Sequence, residues 1–138
     1  MIDRRLLVLA MALIGSVAYA ADWQPVGSND AGRFQIDVAS VVRDGSIVRA
    51  QVRFVFAEPM RAQGGQSVWG MLQYMYFNCD TRQSATKQYS AITDSALENS
   101  AVVGELPDDQ MKWHDVEGYP GDSLLLTTAC AYTPPNVS

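Results

Sequence analysis

Apolar and polar residues alternate along much of the chain, and this alternation predicts β-strands. In residues 33–38, every second side chain is apolar, which is the period of a half-buried strand. Residues 47–56 alternate more clearly, with an apolar face of Val48, Ala50, Val52, Phe54 and Phe56 and a polar face of Arg49, Gln51 and Arg53. Asp44-Gly45 between them is a strong turn signal. We therefore predict an antiparallel hairpin with one solvated face.

The longest predicted strand, residues 68–79, is apolar on both faces. Glu58-Pro59 is expected to end the strand before it, and Gly64-Gly65 marks a flexible connector. If Cys79 faces the core, the two-residue period places Trp69, Met71, Met75 and Phe77 with it, and Leu72, Tyr74 and Tyr76 on the opposite face. We expect the face with the tyrosines to remain partly open.

Three further segments complete the predicted strands. After a turn at residues 80–82, residues 84–93 form a returning strand. Residues 94–110 are small, polar and acidic, which indicates a loop with one helical turn, and residues 111–116 form a short last strand.

The last apolar segment, residues 124–130, is ambiguous between helix and strand. Asp122 or Ser123 is a suitable N-cap for a helix. A strand competes with this interpretation because Thr127-Thr128 is β-branched. Residues 134–138, which begin with Pro134-Pro135, are expected to form a frayed tail.

The first twenty residues have the three parts of a secretory signal peptide. A basic start is followed by the apolar run from Leu6 to Ile14 and by Ala18-Tyr19-Ala20, so cleavage is expected after Ala20. The apolar run is too short for a membrane anchor, which needs about 20 residues. No cysteine lies at the junction, so the protein is not expected to be a lipoprotein. Residues 21–138 then form one domain without a transmembrane segment.

The charge balance disfavours a nucleic-acid partner. Removing Asp3, Arg4 and Arg5 with the signal changes the formal net charge from −5 to −6. An acidic protein gains nothing from counterion release on DNA or RNA. The charge is otherwise ordinary for an envelope protein.

Cys79 and Cys130 are the only cysteines, and both follow the export signal. An oxidising compartment favours a structural disulfide between them, with free or intermolecular thiols as alternatives. Redox and zinc chemistry are disfavoured because neither a CxxC pair nor a Cys/His cluster is present.

The sequence predicts no catalytic residue, cofactor or metal site. His114, the only histidine, has no partner at a recognisable catalytic spacing. Gly64-Gly65 lacks the pattern of a phosphate loop. A loose acidic cluster, which consists of Asp108, Asp109, Asp115 and Glu117, is interpreted as a solvated loop. An enzyme that uses paired carboxylates of this cluster is one of three functional hypotheses, and the other two are given below.

The best candidate for a recognition surface is the aromatic strand with its basic neighbours. Tyrosine and arginine are enriched at binding hot spots. The predicted partner-binding residues are Arg53, Tyr74, Tyr76, Arg82 and Lys87, and Arg49 lies on the same polar face. The alternative is ordinary cross-strand packing, in which long side chains cover tyrosine rings.

Several short motifs in order resemble the surface-adhesin protein E family. They are Asp22-Trp23 after the signal, FQIDVASVVRDGSIVRAQVRF, FNCDTRQSATKQYSA, a late tryptophan and a cysteine in the final apolar segment. The resemblance covers roughly Trp23 to Cys130. It implies a six-stranded antiparallel sheet with a C-terminal helix fastened by the disulfide, and so favours a helix at residues 124–130. The matching motifs are mainly scaffold, so the resemblance assigns no binding residue to this chain.

The family resemblance also implies proteins on the outer surface of Gram-negative bacteria that bind host extracellular-matrix or plasma proteins. We therefore predict an α+β fold and a non-catalytic, exported binding module of the periplasm or outer surface. Its contact region is the solvated sheet face or the turn from Asp80 to Lys87. The second hypothesis is a periplasmic protein with a structural or stress-related role and no host ligand.

Overall fold

The structure is a computed structural model in which residues 20–132 are described. Residues 1–19 of the predicted signal peptide and the predicted tail at residues 134–138 lie outside the described residues.

One antiparallel sheet and one α-helix make up the described part of the chain. The strands are β1 (Trp23–Asn29), β2 (Gly32–Asp37), β3 (Val42–Asp44), β4 (Ile47–Arg61), β5 (Ser67–Asn78), β6 (Gln83–Ile92), β7 (Ser100–Glu105) and β8 (His114–Asp115). Helix α1 (Pro120–Ala131) follows them. Single 3₁₀ turns lie at Val38–Ser40, Asp108–Gln110 and Val116–Gly118. The predicted α+β fold is confirmed.

Six strands form the main path of the sheet in the order β1-β2-β4-β5-β6-β7. The two short strands extend it at opposite sides, because β3 pairs with β4 beyond the end of β2 and β8 pairs with β6 beyond the end of β7. The expected number of about six strands is therefore correct for the main path.

Strand β4 continues past the proline that was expected to end it. It runs to Arg61, and its register with β5 shifts between Val55 and Met60. Pro59 lies inside this irregular stretch. A bulge accommodates proline because the ladder does not require an N–H donor there. The prediction that Glu58-Pro59 ends the strand was wrong for this reason.

Two predictions near the C-terminus also need correction. The segment predicted as a loop, residues 94–110, contains the six-residue strand β7. Conversely, the strand predicted at residues 111–116 is reduced to the two residues of β8, and a 3₁₀ turn begins at Val116. Both strands lie on the outer side of β6 and pair on one side only in the described sheet, so their local patterns are weak.

The C-terminal segment is a helix, but it begins earlier than predicted. Tyr119 is the N-cap residue and makes no side-chain capping bond, and Pro120 is the first helical residue. The fixed φ of proline suits this position, where its missing N–H costs nothing. Asp122 and Ser123 lie within the first turn, so neither is the cap.

The core lies between α1 and one face of the sheet. Its fully or nearly fully buried side chains include Ile36, Val48, Ala50, Val52, Met75, Phe77, Val116, Leu125, Leu126 and Ala129. The inward face predicted for β4 is therefore confirmed at its first three positions, and Phe54 and Phe56 are half-buried. The helix approaches closely at Gly121, where a Cβ atom would lie 2.6 Å from the Phe34 ring.

A disulfide between Cys79 and Cys130 joins the end of β5 to the last turn of α1, with the two Cα atoms 5.9 Å apart. The predicted pairing is confirmed. Next to it, the Arg43 guanidinium donates a hydrogen bond to the Cys130 carbonyl oxygen at 2.6 Å. The C-terminal end of the helix is thus held to the sheet both covalently and by a polar contact.

Candidate binding surface

The sheet face opposite α1, here called the open face, carries an aromatic and basic set of side chains. Alternation along the strands places Arg49 and Arg53 of β4 and Tyr74 and Tyr76 of β5 on this face. Arg49 lies across from Tyr76, and Arg53 lies across from Leu72. Lys87 of β6 joins them at a bulge, where the register with β5 shifts.

The two tyrosines form the centre of the open face. Their ring centroids lie 5.7 Å apart at a tilt of 58°. Arg49 pairs directly with Tyr76 across the strands, and its guanidinium carbon lies 5.8 Å from the centre of that ring. At this distance the cation and the ring face attract each other. The predicted grouping of Tyr74 and Tyr76 with a basic neighbour is observed here.

Arg53 forms a second aromatic–basic pair, with Trp23 of β1. Its guanidinium carbon lies 4.1 Å from the centre of the Trp23 ring, and its Nε donates to the Gln35 side-chain oxygen at 2.6 Å. Burial, and secondarily the neighbouring Arg33 charge, lower the pKa of Arg53. The pair is thus fixed in place and partly desolvated.

Trp23 itself is held at the start of the sheet. It pairs with Asp37 of β2, and the buried Asp37 carboxylate accepts a hydrogen bond from the Asp22 backbone N–H at 2.8 Å. Sequence reasoning did not include Trp23 among the candidate contact residues. Trp23 lies next to Arg53 because β1, β2 and β4 are neighbours in the sheet, and this strand order is not visible in the sequence.

A small slot adjoins the Trp23–Arg53 pair. Its volume is about 160 Å³, and its lining includes Leu72, Ile92 and Leu97. Leu97 comes from the loop between β6 and β7 and has a positive φ of 62°. The open face therefore offers apolar as well as basic contacts.

Lys87 contacts a residue of the acidic cluster, Asp108. The Lys87 Nζ lies 2.9 Å from the Asp108 Oδ1. This hydrogen bond raises the pKa of Lys87 and lowers the pKa of Asp108. A hydrogen bond from Tyr76 and the charge of Arg49 also act on the Asp108 carboxylate. The turn after β7 thus brings one carboxylate onto the open face.

The remaining predicted contact residue, Arg82, lies elsewhere. Its Nε donates to Glu117 at 2.6 Å, and an Nη atom donates to Ser123 of α1 at 3.3 Å. The side chain is directed toward the helix side of the molecule. The structure thus brings together four of the five predicted residues, and Arg82 connects the β5–β6 turn to the helix.

The four residues of the acidic cluster do not share one site. Asp108 contacts Lys87, Glu117 contacts Arg82, and Asp115 pairs with Gln83 in the strand ladder. None of them lines the slot beside Trp23. In residues 20–132, no group of three or more His, Cys, Asp and Glu side chains is placed to hold a metal ion.

His114 has a contact that was not predicted from the sequence. Its Nε2 lies 2.8 Å from the Asp122 Oδ2 and 3.3 Å from the Ser84 Oγ. In a catalytic triad the serine and the carboxylate contact different ring nitrogens, whereas here both contact Nε2. Ser84 is also completely buried. The contact therefore joins β8 to α1 and does not have the geometry of an activated nucleophile.

Residues 20–132 form a small α+β fold in which a disulfide fastens the helix α1 to one face of an antiparallel sheet. A family model for surface-adhesin protein E matches residues 23–131, and the chain belongs to that family. No curated protein matches the chain. The resemblance inferred from the sequence motifs is confirmed.

The family supports a general class of function. It is a family of surface adhesins, which implies a role in binding rather than catalysis and an exported protein of the cell envelope. Within residues 20–132, the helix of the structure is not of a length and apolarity that would cross a bilayer.

Proposed function

We propose that this protein is a non-catalytic, exported binding module of the bacterial envelope that contacts a protein partner through its open face. Membership of the surface-adhesin protein E family supports an adhesive role. The observation that carries the choice of surface is the pair of aromatic–basic contacts, Trp23 with Arg53 and Tyr76 with Arg49, on the sheet face that α1 leaves uncovered.

The open face suits recognition because its side chains are attached to paired strands. Tyrosine, tryptophan and arginine provide large contact areas and are the residue types most enriched at hot spots. The stacked geometry of Arg53 on Trp23 at 4.1 Å limits the rotamer freedom that binding would otherwise remove. A partner therefore meets a surface that is already ordered.

Charge also favours this face over the rest of the molecule. Outside the predicted signal, the chain has eight basic residues, and four of them, Arg33, Arg49, Arg53 and Lys87, lie on the open face. The protein as a whole is acidic. A basic surface on an acidic protein orients an approaching acidic partner toward that surface.

Host extracellular-matrix and plasma proteins are the partners we propose. The test is binding of the purified protein, with its disulfide oxidised, to immobilised vitronectin and laminin at physiological salt. Saturable binding with a micromolar or lower Kd is expected. Absence of binding to both ligands at micromolar concentrations would contradict this partner class.

Variants locate the contact surface. Arg53→Glu and Tyr76→Ala are expected to weaken binding at least about thirtyfold, because truncating a hot-spot residue costs about 2 kcal/mol or more. Arg61→Glu is the matched control, since it makes the same charge change beyond the bulge of β4. The β5 partners of Arg53 and Arg61, Leu72 and Ser67, are five residues apart, which is roughly 17 Å along the strand. Equal effects of Arg53→Glu and Arg61→Glu would show that only net charge matters.

Location decides whether a host partner is reachable. We propose export to the periplasm or the outer surface, and without a lipid anchor. Protease treatment of intact cells is expected to digest the protein if it is on the outer surface. Complete protection, with recovery only in the osmotic-shock fraction, would instead support a periplasmic structural or stress-related role.

A further inference from the structure

The open face contains a cationic site that already holds a carboxylate. The Lys87 Nζ and the Asp108 Oδ1 are 2.9 Å apart, and after Lys87 the neighbouring Tyr76 and Arg49 also lower the pKa of that carboxyl group. Arg49 lies against the Tyr76 ring on the neighbouring strand. We call Arg49, Tyr76 and Lys87 the carboxylate site, and all three are attached to paired strands.

The site and its occupant differ in how firmly they are held. The Lys87 side chain is 22% exposed, whereas the Asp108 side chain is 74% exposed. Asp108 comes from a single 3₁₀ turn after Pro107, and the neighbouring Leu106 N–H donates to the Lys87 carbonyl oxygen at 3.0 Å. The Asp108 carboxylate therefore lies on the solvent side of the site, and the side chains that it contacts are attached to paired strands.

One donor group of the carboxylate site has no acceptor in the described part of the chain, and it lies beneath the surface. The Arg49 Nε is buried and has no hydrogen-bond partner among residues 20–132. Buried donors are nearly always paired, so an unpaired one requires an explanation. Arginine and lysine together have eight N–H donors, and the single carboxylate of Asp108 cannot accept hydrogen bonds from all of them.

We propose that this site binds a carboxylate side chain of an acidic segment of the partner protein, and that Asp108 is the chain's own substitute for that group. The proposal rests on the proposed function and specifies the chemistry of its partner. A peptide-borne carboxylate is favoured over other anions because that is the group the site holds in the free protein. Binding then requires exchange of Asp108 for a partner carboxylate.

Exchange has a measurable consequence. If only the fraction of molecules with a vacated site can bind, the apparent affinity is lowered by that fraction. Removing the charge of Asp108 removes the competitor. Since the Lys87–Asp108 ion pair is weakened by solvent exposure, its competition is modest, and we expect Asp108→Asn to bind an acidic peptide about threefold to fivefold more tightly than the unmodified protein.

The experiment titrates a fluorescent hexaglutamate peptide with the purified protein, disulfide oxidised, at low and at physiological salt. Asp109→Asn is the matched control, because it makes the same charge change at the next residue of the same turn. We expect tighter binding for Asp108→Asn than for Asp109→Asn, and loss of binding for Lys87→Gln. Circular dichroism and thiol titration check that each variant is folded and oxidised.

Three results would overturn the proposal. The first is equal affinity of Asp108→Asn and Asp109→Asn, which would show a general charge effect. The second is full peptide binding by Lys87→Gln. The third is preferential binding of a heparin oligosaccharide over the peptide in the same assay, which would identify a sulfate site instead.

The outcome is separable from that of the proposed function. Binding to matrix proteins that is unaffected by Asp108→Asn, together with no peptide effect, would refute the carboxylate site alone. A peptide effect without any binding to matrix proteins would support the site and contradict the partner class.

Discussion

Replacing Cys79 and Cys130 by alanine tests how much of the stability depends on the covalent bond between β5 and α1. The bond connects residues with a sequence separation of 51. For a loop of this size, the chain-entropy model gives about 4 kcal/mol at 25 °C. Small domains are stable by only about 5–15 kcal/mol. We therefore expect the double variant to fold, but with a large part of its free energy of unfolding lost.

The remaining stability comes from noncovalent packing of α1. Leu125, Leu126 and Ala129 are almost completely buried against the sheet. Truncating a buried leucine costs about 2–5 kcal/mol. Adding Leu126→Ala to the double cysteine variant therefore removes a further large part of the free energy that attaches the helix, although Leu125 and Ala129 still pack on the sheet. We expect this triple variant to be largely unfolded or to have its helix detached from the sheet.

Urea unfolding followed by circular dichroism measures these losses. With a slope of about 2 kcal/mol per M, a loss of 4 kcal/mol moves the midpoint down by roughly 2 M. The unmodified protein treated with a reductant should match the double variant, and the reductant should not affect the double variant. A midpoint shift below roughly 0.5 M in both would refute the reasoning. The helix would then be held by packing alone.

Two other predictions follow from single contacts. Gly121→Val is expected to lower the free energy of unfolding by about 1–3 kcal/mol, because a Cβ at this position lies 2.6 Å from the Phe34 ring. In Gly118→Val the added side chain meets open space, so the loss in free energy of unfolding should be smaller in the same urea assay. For pH dependence, the lowered pKa of Asp108 stabilises the fold above its ordinary value of 3.8, and this contribution is lost as pH falls through the lower folded value. The raised pKa of Lys87 acts oppositely, with its contribution lost as pH rises above 10.5 and through the higher folded value. Carboxyl NMR should show Asp108 titrating below 3.8, and Lys87→Gln should return it toward that value; an unchanged pKa would contradict the contact.

Local alternation was sufficient to predict which side of the central strands is buried. Val48, Ala50 and Val52 are buried, as are Met75 and Phe77, because a strand's two-residue period is set by the backbone itself. The fold class and the disulfide were also predictable. The disulfide was inferred from two cysteines and an expected export, and the α+β class from the strand pattern together with the family resemblance, which favoured a helix at residues 124–130.

Features that depend on long-range contacts were not predictable in this way. Pro59 stops a strand by local rules, but pairing of β4 with β5 beyond a bulge continues it. Strand β7 has little periodicity and exists because β6 offers an edge. The Trp23–Arg53 pair requires three strands to be neighbours, and Asp108 reaches Lys87 only through the turn that follows β7. The Trp23–Arg53 and Lys87–Asp108 contacts of the open face are therefore visible only in the structure.

The division of the sheet into two faces explains how the open face can carry polar and charged side chains. A sheet of this size needs one well-packed face for stability, and α1, with its disulfide, supplies that packing on one side only. The other face is then free of the requirement to be apolar, so Arg49, Arg53 and Lys87 can lie among aromatic rings. Their positions are nevertheless fixed, because the strands that carry them form the opposite side of the core. Weakening the helix attachment should therefore loosen the open face as well, and partner affinity should fall in the double cysteine variant although neither cysteine belongs to that face.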